Sequence, residues 1–135
     1  MTTTLTISGN LAADPQLRYL PTGVAVAKFV VMSNERYRDR DTGVWTDGAR
    51  TDVRVTAWDI LAENTAETLH KGTAVTVTGH RVEAHPWTGQ DDTLRASLEL
   101  TADDVQVSLR RHTVTTQKSR RATADSTAED TPATG

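Results

Sequence analysis

There is no cysteine among the 135 residues. That excludes a disulfide framework, thiolate metal sites and a thiol nucleophile, and it fits a reducing compartment. Aromatic residues are scarce: three tryptophans, two tyrosines and one phenylalanine. Long apolar runs are missing too, so no segment approaches the roughly 20 residues that span a bilayer. The opening Met1-Thr2-Thr3-Thr4-Leu5-Thr6 has neither a basic region nor an apolar stretch, and no signal peptide is expected. Nor is there an excess of positive charge. The formal net charge of -3 argues against a protein that coats a polyanion by bulk charge. A local basic groove stays open, because screening makes nearby charges matter more than the total.

What is present suits one domain. Hydrophobic residues make up 36% of the chain, and Val114 is the only large apolar residue beyond position 111. A folded domain is therefore expected over residues 1–111. Residues 112–135, rich in Thr, Ala and Ser, are expected to form a disordered tail, since they cannot bury enough surface to offset the entropy of ordering. The tail begins basic (Lys118, Arg120, Arg121) and ends acidic (Asp125, Glu129, Asp130).

The domain reads as short alternating strands. Leu5 and Ile7 alternate with Thr4, Thr6 and Ser8, and Gly9-Asn10 interrupts them as a bulge or bend would. Asp14-Pro15 and Pro21-Thr22-Gly23 supply turn chemistry. A second strand is predicted from about Val24 to Asn34, with Ala25, Ala27, Phe29 and Val31 inward and Val26, Lys28 and Val30 outward. The polar stretch Arg36 to Arg50, with a turn at Asp41-Thr42-Gly43, reads as a protruding hairpin or loop. A third strand, Thr51 to Trp58, turns Val53, Val55 and Ala57 inward and Asp52, Arg54, Thr56 and Trp58 outward. Asp59 is expected to cap a helix from about Ile60 to His70, with an apolar stripe at Leu61, Thr65 and Leu69 and Gly72 beyond its end. A fourth strand is predicted from Thr73 to about Glu83, and a final one from Leu94 to Leu109, broken near Ala102-Asp103. The order β-β-β-α-β-β is that of the OB-fold, a five-stranded Greek-key barrel, with an open α+β sheet as the alternative.

Catalytic chemistry finds no footing. The four histidines make no HExxH pair, and no P-loop, dinucleotide fingerprint or G-x-S-x-G is present. No enzyme, metal or cofactor is expected. Binding is better supported. Tyr37, Trp45 and Trp87 fall in polar loops, and Trp58 on an outward strand face, where large rings waste apolar surface unless they meet something. Basic residues are expected to join them in binding: Arg36, Arg38 and Arg40 around Tyr37, Arg54 on the face of Trp58, Lys28 on the outward face of the second strand, and Arg81 ahead of Trp87. Rings that stack bases and cations that follow phosphates suit single-stranded nucleic acid. Packing is the competing account of Trp45 and Trp58. Pairing with Asp39 and Asp41 competes for the three arginines, which point away from Tyr37 if that segment is extended.

Gly9-Asn10-Leu11, Asp14-Pro15, Arg18-Tyr19, Pro21-Thr22-Gly23 and Val26-Ala27-Lys28-Phe29 come in that order. They are followed by Trp58-Asp59-Ile60-Leu61-Ala62-Glu63, Leu69-His70-Lys71-Gly72, Trp87-Thr88 and Leu98 to Val107. The ordered set, over about residues 4–109, resembles the bacterial single-stranded DNA-binding proteins. The resemblance implies an OB-fold, usually a homotetramer, that wraps single-stranded DNA. It implies stacking by Tyr37, Trp58 and Trp87, with Arg40, Arg54 and Lys71 at basic positions near the DNA path. A further stacking tryptophan of that family is Asp52 here, a carboxylate that repels phosphate, and Trp45 is expected to compensate from nearby. Ile60 replaces a lysine. The end, Glu129-Asp130-Thr131-Pro132-Ala133-Thr134-Gly135, has no bulky anchor. It resembles the tail-poor paralogues of actinobacteria, so recruitment of replication enzymes through the tip is not expected. The combined expectation is a cytoplasmic, nucleoid-associated homo-oligomer without a membrane partner. Another OB-fold subunit, of primosomal or RNA-binding type, is the alternative.

Overall fold

A computed structural model describes residues 1–92 and 94–119. The chain runs β1 (Thr4–Leu11), β2 (Gln16–Tyr19), β3 (Ala25–Arg38), β4 (Trp45–Trp58), α1 (Asp59–Thr68), β5 (Ala74–Thr88) and β6 (Leu94–Val107). The strands form one sheet in the order β1-β5-β6-β4-β3-β2. A further pairing of β1 with β3, Asn10 against Met32 and Leu11 against Val31, joins its ends. Five strands thus close a barrel, and β2 is added outside the ring along β3. All neighbours are antiparallel except β4 and β6, which meet in parallel from Val53 opposite Leu98 to Thr56 opposite Thr101. This is the OB barrel, and the open sheet is ruled out by the β1–β3 pairing.

The inward alternation holds. Ala25, Ala27, Phe29 and Val31 of β3 are buried with Val53, Val55 and Ala57 of β4, Val75 and Val77 of β5, and Leu100 of β6. Most of these side chains are small or β-branched, which suits the crowded interior of a narrow barrel. Burying one Val or Leu contributes about 1.5–3 kcal/mol. Ala62 and Leu69, from α1 and the residue after it, complete the core.

Several boundaries differ from the sequence reading. Gln16–Tyr19, expected to be only turn-flanked chain, is a strand, because β3 offers it a partner from Lys28 to Ala25. The polar stretch after Asn34 is mostly paired ribbon: β3 continues to Arg38 and β4 begins at Trp45. Asp59 does not cap the helix. It is the first helical residue, with φ 59°, and Trp58 precedes it without a side-chain cap. The helix ends at Thr68 rather than His70, and Gly72 serves a separate turn, with φ 89°, where its N–H donates to Leu11 O. The final strand is continuous. Asp103 is an extra residue in it, since Thr78 faces Asp104 while Gly79 faces Ala102. A bulge absorbs the irregularity that the sequence presents as a break.

Two glycines are required by close approach. A Cβ at Gly9 would lie 2.2 Å from Met32 O, at the barrel's closing pair, and one at Gly79 would lie 2.2 Å from Thr101 O.

After β6 the chain turns back on the barrel. Ser108 N–H donates to Ala74 O (3.0 Å), and the His112 ring accepts the Ala74 N–H (2.8 Å). Residues 112–119 then face α1 across an open groove of about 760 Å³. The first part of the expected tail therefore lies beside the helix, and the remainder, 120–135, lies outside the described residues. No helix among the described residues is long and apolar enough to cross a membrane.

Candidate nucleic-acid interface

The outward residues of β2, β3, β4, β6 and β5 make one continuous surface, ordered by the rungs of the sheet. One rung carries Arg18, Val26 and Trp58 across β2, β3 and β4. The next carries Gln16, Lys28, Thr56, Thr101 and His80. A third carries Val30, Arg54, Glu99 and Glu83. Between the first two rungs lies an open groove of about 410 Å³, lined by Gln16, Arg18, Leu20, Val26, Lys28, Thr56, Trp58, Arg81 and Thr101. Three residues expected from sequence thus meet there: Lys28, Trp58 and Arg81. Trp58 is 42% exposed.

Arg81 reaches the groove through a backbone irregularity. His80 pairs with Thr101 and Glu83 with Glu99, so Arg81 and Val82 together oppose Leu100. Arg81 takes φ 59°, a left-handed conformation that costs a non-glycine residue about 1–2 kcal/mol. The bulge keeps Val82 packed against the core while Arg81 stays exposed.

Trp87, expected in a polar loop, lies on the β5–β6 ribbon instead, because β5 runs on past Glu83 to Thr88 in pairing with β6. It is 45% exposed, and its Nε1–H donates to Ser97 Oγ (3.0 Å). That bond fixes the ring without covering it. Tyr37 and Trp45 stand on the β3–β4 ribbon, each more than half exposed. Trp45 pairs across the ribbon with Arg38, and Tyr37 with Thr46. Because the segment is extended, alternation sets Arg36 and Arg38 on the face opposite Tyr37. Arg40 lies in the turn between the strands. Lys71 lies in the turn after α1, its backbone N–H bonded to Asp14 Oδ1 (2.7 Å), and is not among the groove residues.

Carboxylates interrupt the cations. Glu83 and Glu99 face each other, and His85 Nε2 lies 3.2 Å from Glu83 and 3.7 Å from Glu99. Asp52 is clasped by Arg50, so its charge is answered locally rather than presented bare. Arg50 is held above its ordinary pKa by the hydrogen bond to Asp52 and then by that carboxylate's charge. Trp45 does not lie beside Asp52. Asp52 pairs with Met32 and Trp45 with Arg38, about 20 Å further along β3 at ~3.4 Å per residue. Among the groove residues that sequence reasoning passed over are Gln16 and Arg18. Their signal was the alternation within Gln16–Tyr19, obscured by the turn residues on either side. Among the described residues no cluster of His, Cys, Asp or Glu is arranged to hold a metal ion.

A closed OB barrel with exposed tryptophans and cations along one face defines a class: proteins that grip unstacked strands of nucleic acid. The comparisons narrow this. The single-strand binding protein family matches residues 2–108, and the chain belongs to that family. It is of actinobacterial type. It is 42% identical over 120 residues to the single-stranded DNA-binding protein of Mycobacterium bovis, covering 89% of this chain and 73% of that one. Against single-stranded DNA-binding protein 2 of Streptomyces coelicolor it is 40% identical over 116 residues, covering 86% and 58%. The crystal structure of the small single-stranded DNA-binding protein from Streptomyces coelicolor superposes with a TM-score of 0.70 at 28% identity. That alignment covers 82% of this chain and 98% of the other.

Proposed function

We propose that this protein binds single-stranded DNA with little sequence preference and protects it during replication, recombination or repair. Trp58, Trp87, Tyr37 and Trp45 stack bases. Lys28, Arg54 and Arg81 hold phosphates beside the groove, Arg36, Arg38 and Arg40 do so along the ribbon, and Lys71 extends the path past the helix. The observation that carries this reading is the groove in which Trp58 meets Lys28, Arg18 and Arg81. A ring with cations around it fits a base with its phosphates, and every base offers a flat face, which explains weak sequence preference. The protein acts by binding, without a catalytic step, in the cytoplasm at the nucleoid. Residues 1–111 form the binding domain.

The working form is a homo-oligomer, with a tetramer as the expected size. Thr4 to Ser8 of β1 have β5 on one side and no strand on the other among the described residues. Such an edge invites pairing with a second copy. Light scattering should give a mass several times the 14.7 kDa of one chain.

Titration with poly-dT tests the binding reading. Tryptophan fluorescence should be strongly quenched, and Trp58→Ala should weaken binding by about 1–3 kcal/mol. The absence of both quenching and a gel shift at low salt would overturn it.

A further inference from the structure

Trp58 and Trp45 stand at opposite ends of β4, about 40 Å apart at ~3.3 Å per residue. No aromatic residue lies between them on that strand. Midway, on the same outward face, Arg50 folds back along β4 onto Asp52. Its Nε–H donates to Asp52 Oδ1 (2.9 Å) and its Nη2 donates to Asp52 Oδ2 (3.2 Å). Nη2 also reaches Met32 Sδ at 3.1 Å, from the strand across. Met32 and Asp52 are directly paired, so the guanidinium is held from two strands.

These three contacts share a property. The N–H bonds of a guanidinium lie in its own plane, so a carboxylate fork and a sulfur acceptor hold it at its rim rather than over its faces. The side chains of Arg50 and Asp52 are 58% and 48% exposed, and the group is accordingly open to solvent. The result is a flat, delocalised plate whose orientation is fixed beforehand and whose charge is balanced by its own clasp.

We propose that Arg50, clasped by Asp52 and Met32, is a base-stacking subsite between Trp58 and Trp45. Its ligand is one unstacked base of the strand that this face binds, and the inference rests on that reading. Asp52 is a positioning residue: it touches no base but keeps the guanidinium flat and in place.

The test uses fluorescence anisotropy with two strands of equal length, oligo-dT and an abasic strand with the same phosphates. The proteins are the full chain, Asp52→Ala and Arg50→Lys. Simple charge repulsion predicts that removing Asp52 tightens binding to both strands. The stacking plate predicts a reversal of sign. Asp52→Ala should bind oligo-dT about fivefold more weakly, because the plate is released, yet bind the abasic strand no more weakly than the parent. Arg50→Lys keeps the charge and cannot stack. It should lose a similar factor on oligo-dT, leave the salt slope unchanged, and have no effect on the abasic strand. Both positions are exposed, and equal melting temperatures would confirm intact folds. If the unaltered protein binds neither strand, the reading of the face falls and this inference with it. If the protein binds oligo-dT but Asp52→Ala tightens both complexes, or Arg50→Lys weakens both equally, the stacking subsite alone is overturned.

Discussion

Arg81 is pulled two ways. Its left-handed backbone favours glycine, while its position in the groove favours a cation. Arg81→Gly should therefore stabilise the fold, by up to about 1 kcal/mol, while weakening affinity for single-stranded DNA and flattening its salt dependence. Thermal melts and titrations of the same sample at two salt concentrations would check both halves. Tyr19 makes a different argument. Its O–H donates to Glu63 Oε2 (2.8 Å), and that bond, followed by slight burial and the Glu63 charge, raises the phenol above its ordinary 10.0. A group raised on folding stabilises below its unfolded pKa and loses that contribution as pH climbs through the folded one. The parent's advantage over Tyr19→Phe should be present at neutral pH and vanish as pH climbs above 10.0, as alkaline denaturation series would show. Neither feature was legible in the sequence. A bulge at Arg81 depends on how two distant strands come into register, and the Tyr19–Glu63 contact joins a strand to a helix 44 residues on. The rings themselves could be read, because alternation turns Trp58 outward and Trp87 stands in a polar stretch.

At the scale of elements, the barrel depends on one large core ring and two close backbone contacts. Phe29 is 5% exposed within a core otherwise built mainly from Val, Leu and Ala. Phe29→Ala should cost about 3–5 kcal/mol, a large share of the stability of a small domain, and denaturant titration would register it. Gly79→Ala should lower the melting temperature, because a Cβ there lies 2.2 Å from a backbone oxygen rather than against a side chain that can move. The strands over Ala25–Val31 and Val53–Ala57 were legible from alternation alone. Their extensions through Arg38 and from Trp45 were not. The ribbon residues are polar on both faces, so the period that marks a half-buried strand is missing. The helix was legible from its apolar stripe, although Trp58, not a polar capping side chain, leads into it. Residue chemistry at Asp59 favoured a cap, but the turn out of β4 required a left-handed residue there, and Asp tolerates that conformation.

For the whole molecule, a net charge of -3 and a cationic groove lead to a clear expectation. The logarithm of the affinity should fall linearly with the logarithm of salt concentration, with a slope set by the phosphates engaged and not by net charge. Closure was beyond a local reading, since Asn10–Met32 and Leu11–Val31 are contacts that no single segment announces. The ordered motifs, taken together, pointed to the barrel where periodicity left an open sheet possible.

The parallel seam between β4 and β6 has a consequence in time. Its partners, Val53 and Leu98, are about 45 residues apart, and α1 and β5 lie between them. The β3–β4 and β5–β6 ribbons are local and can form early, whereas the seam must wait for both. During synthesis, β4 leaves the ribosome with one edge unpaired, and it stays so until residues 98–101 emerge. At ~5–20 residues per second, that exposure lasts a few seconds. Over that interval the nascent chain carries an open strand edge, and its yield should depend on how quickly the last strand follows.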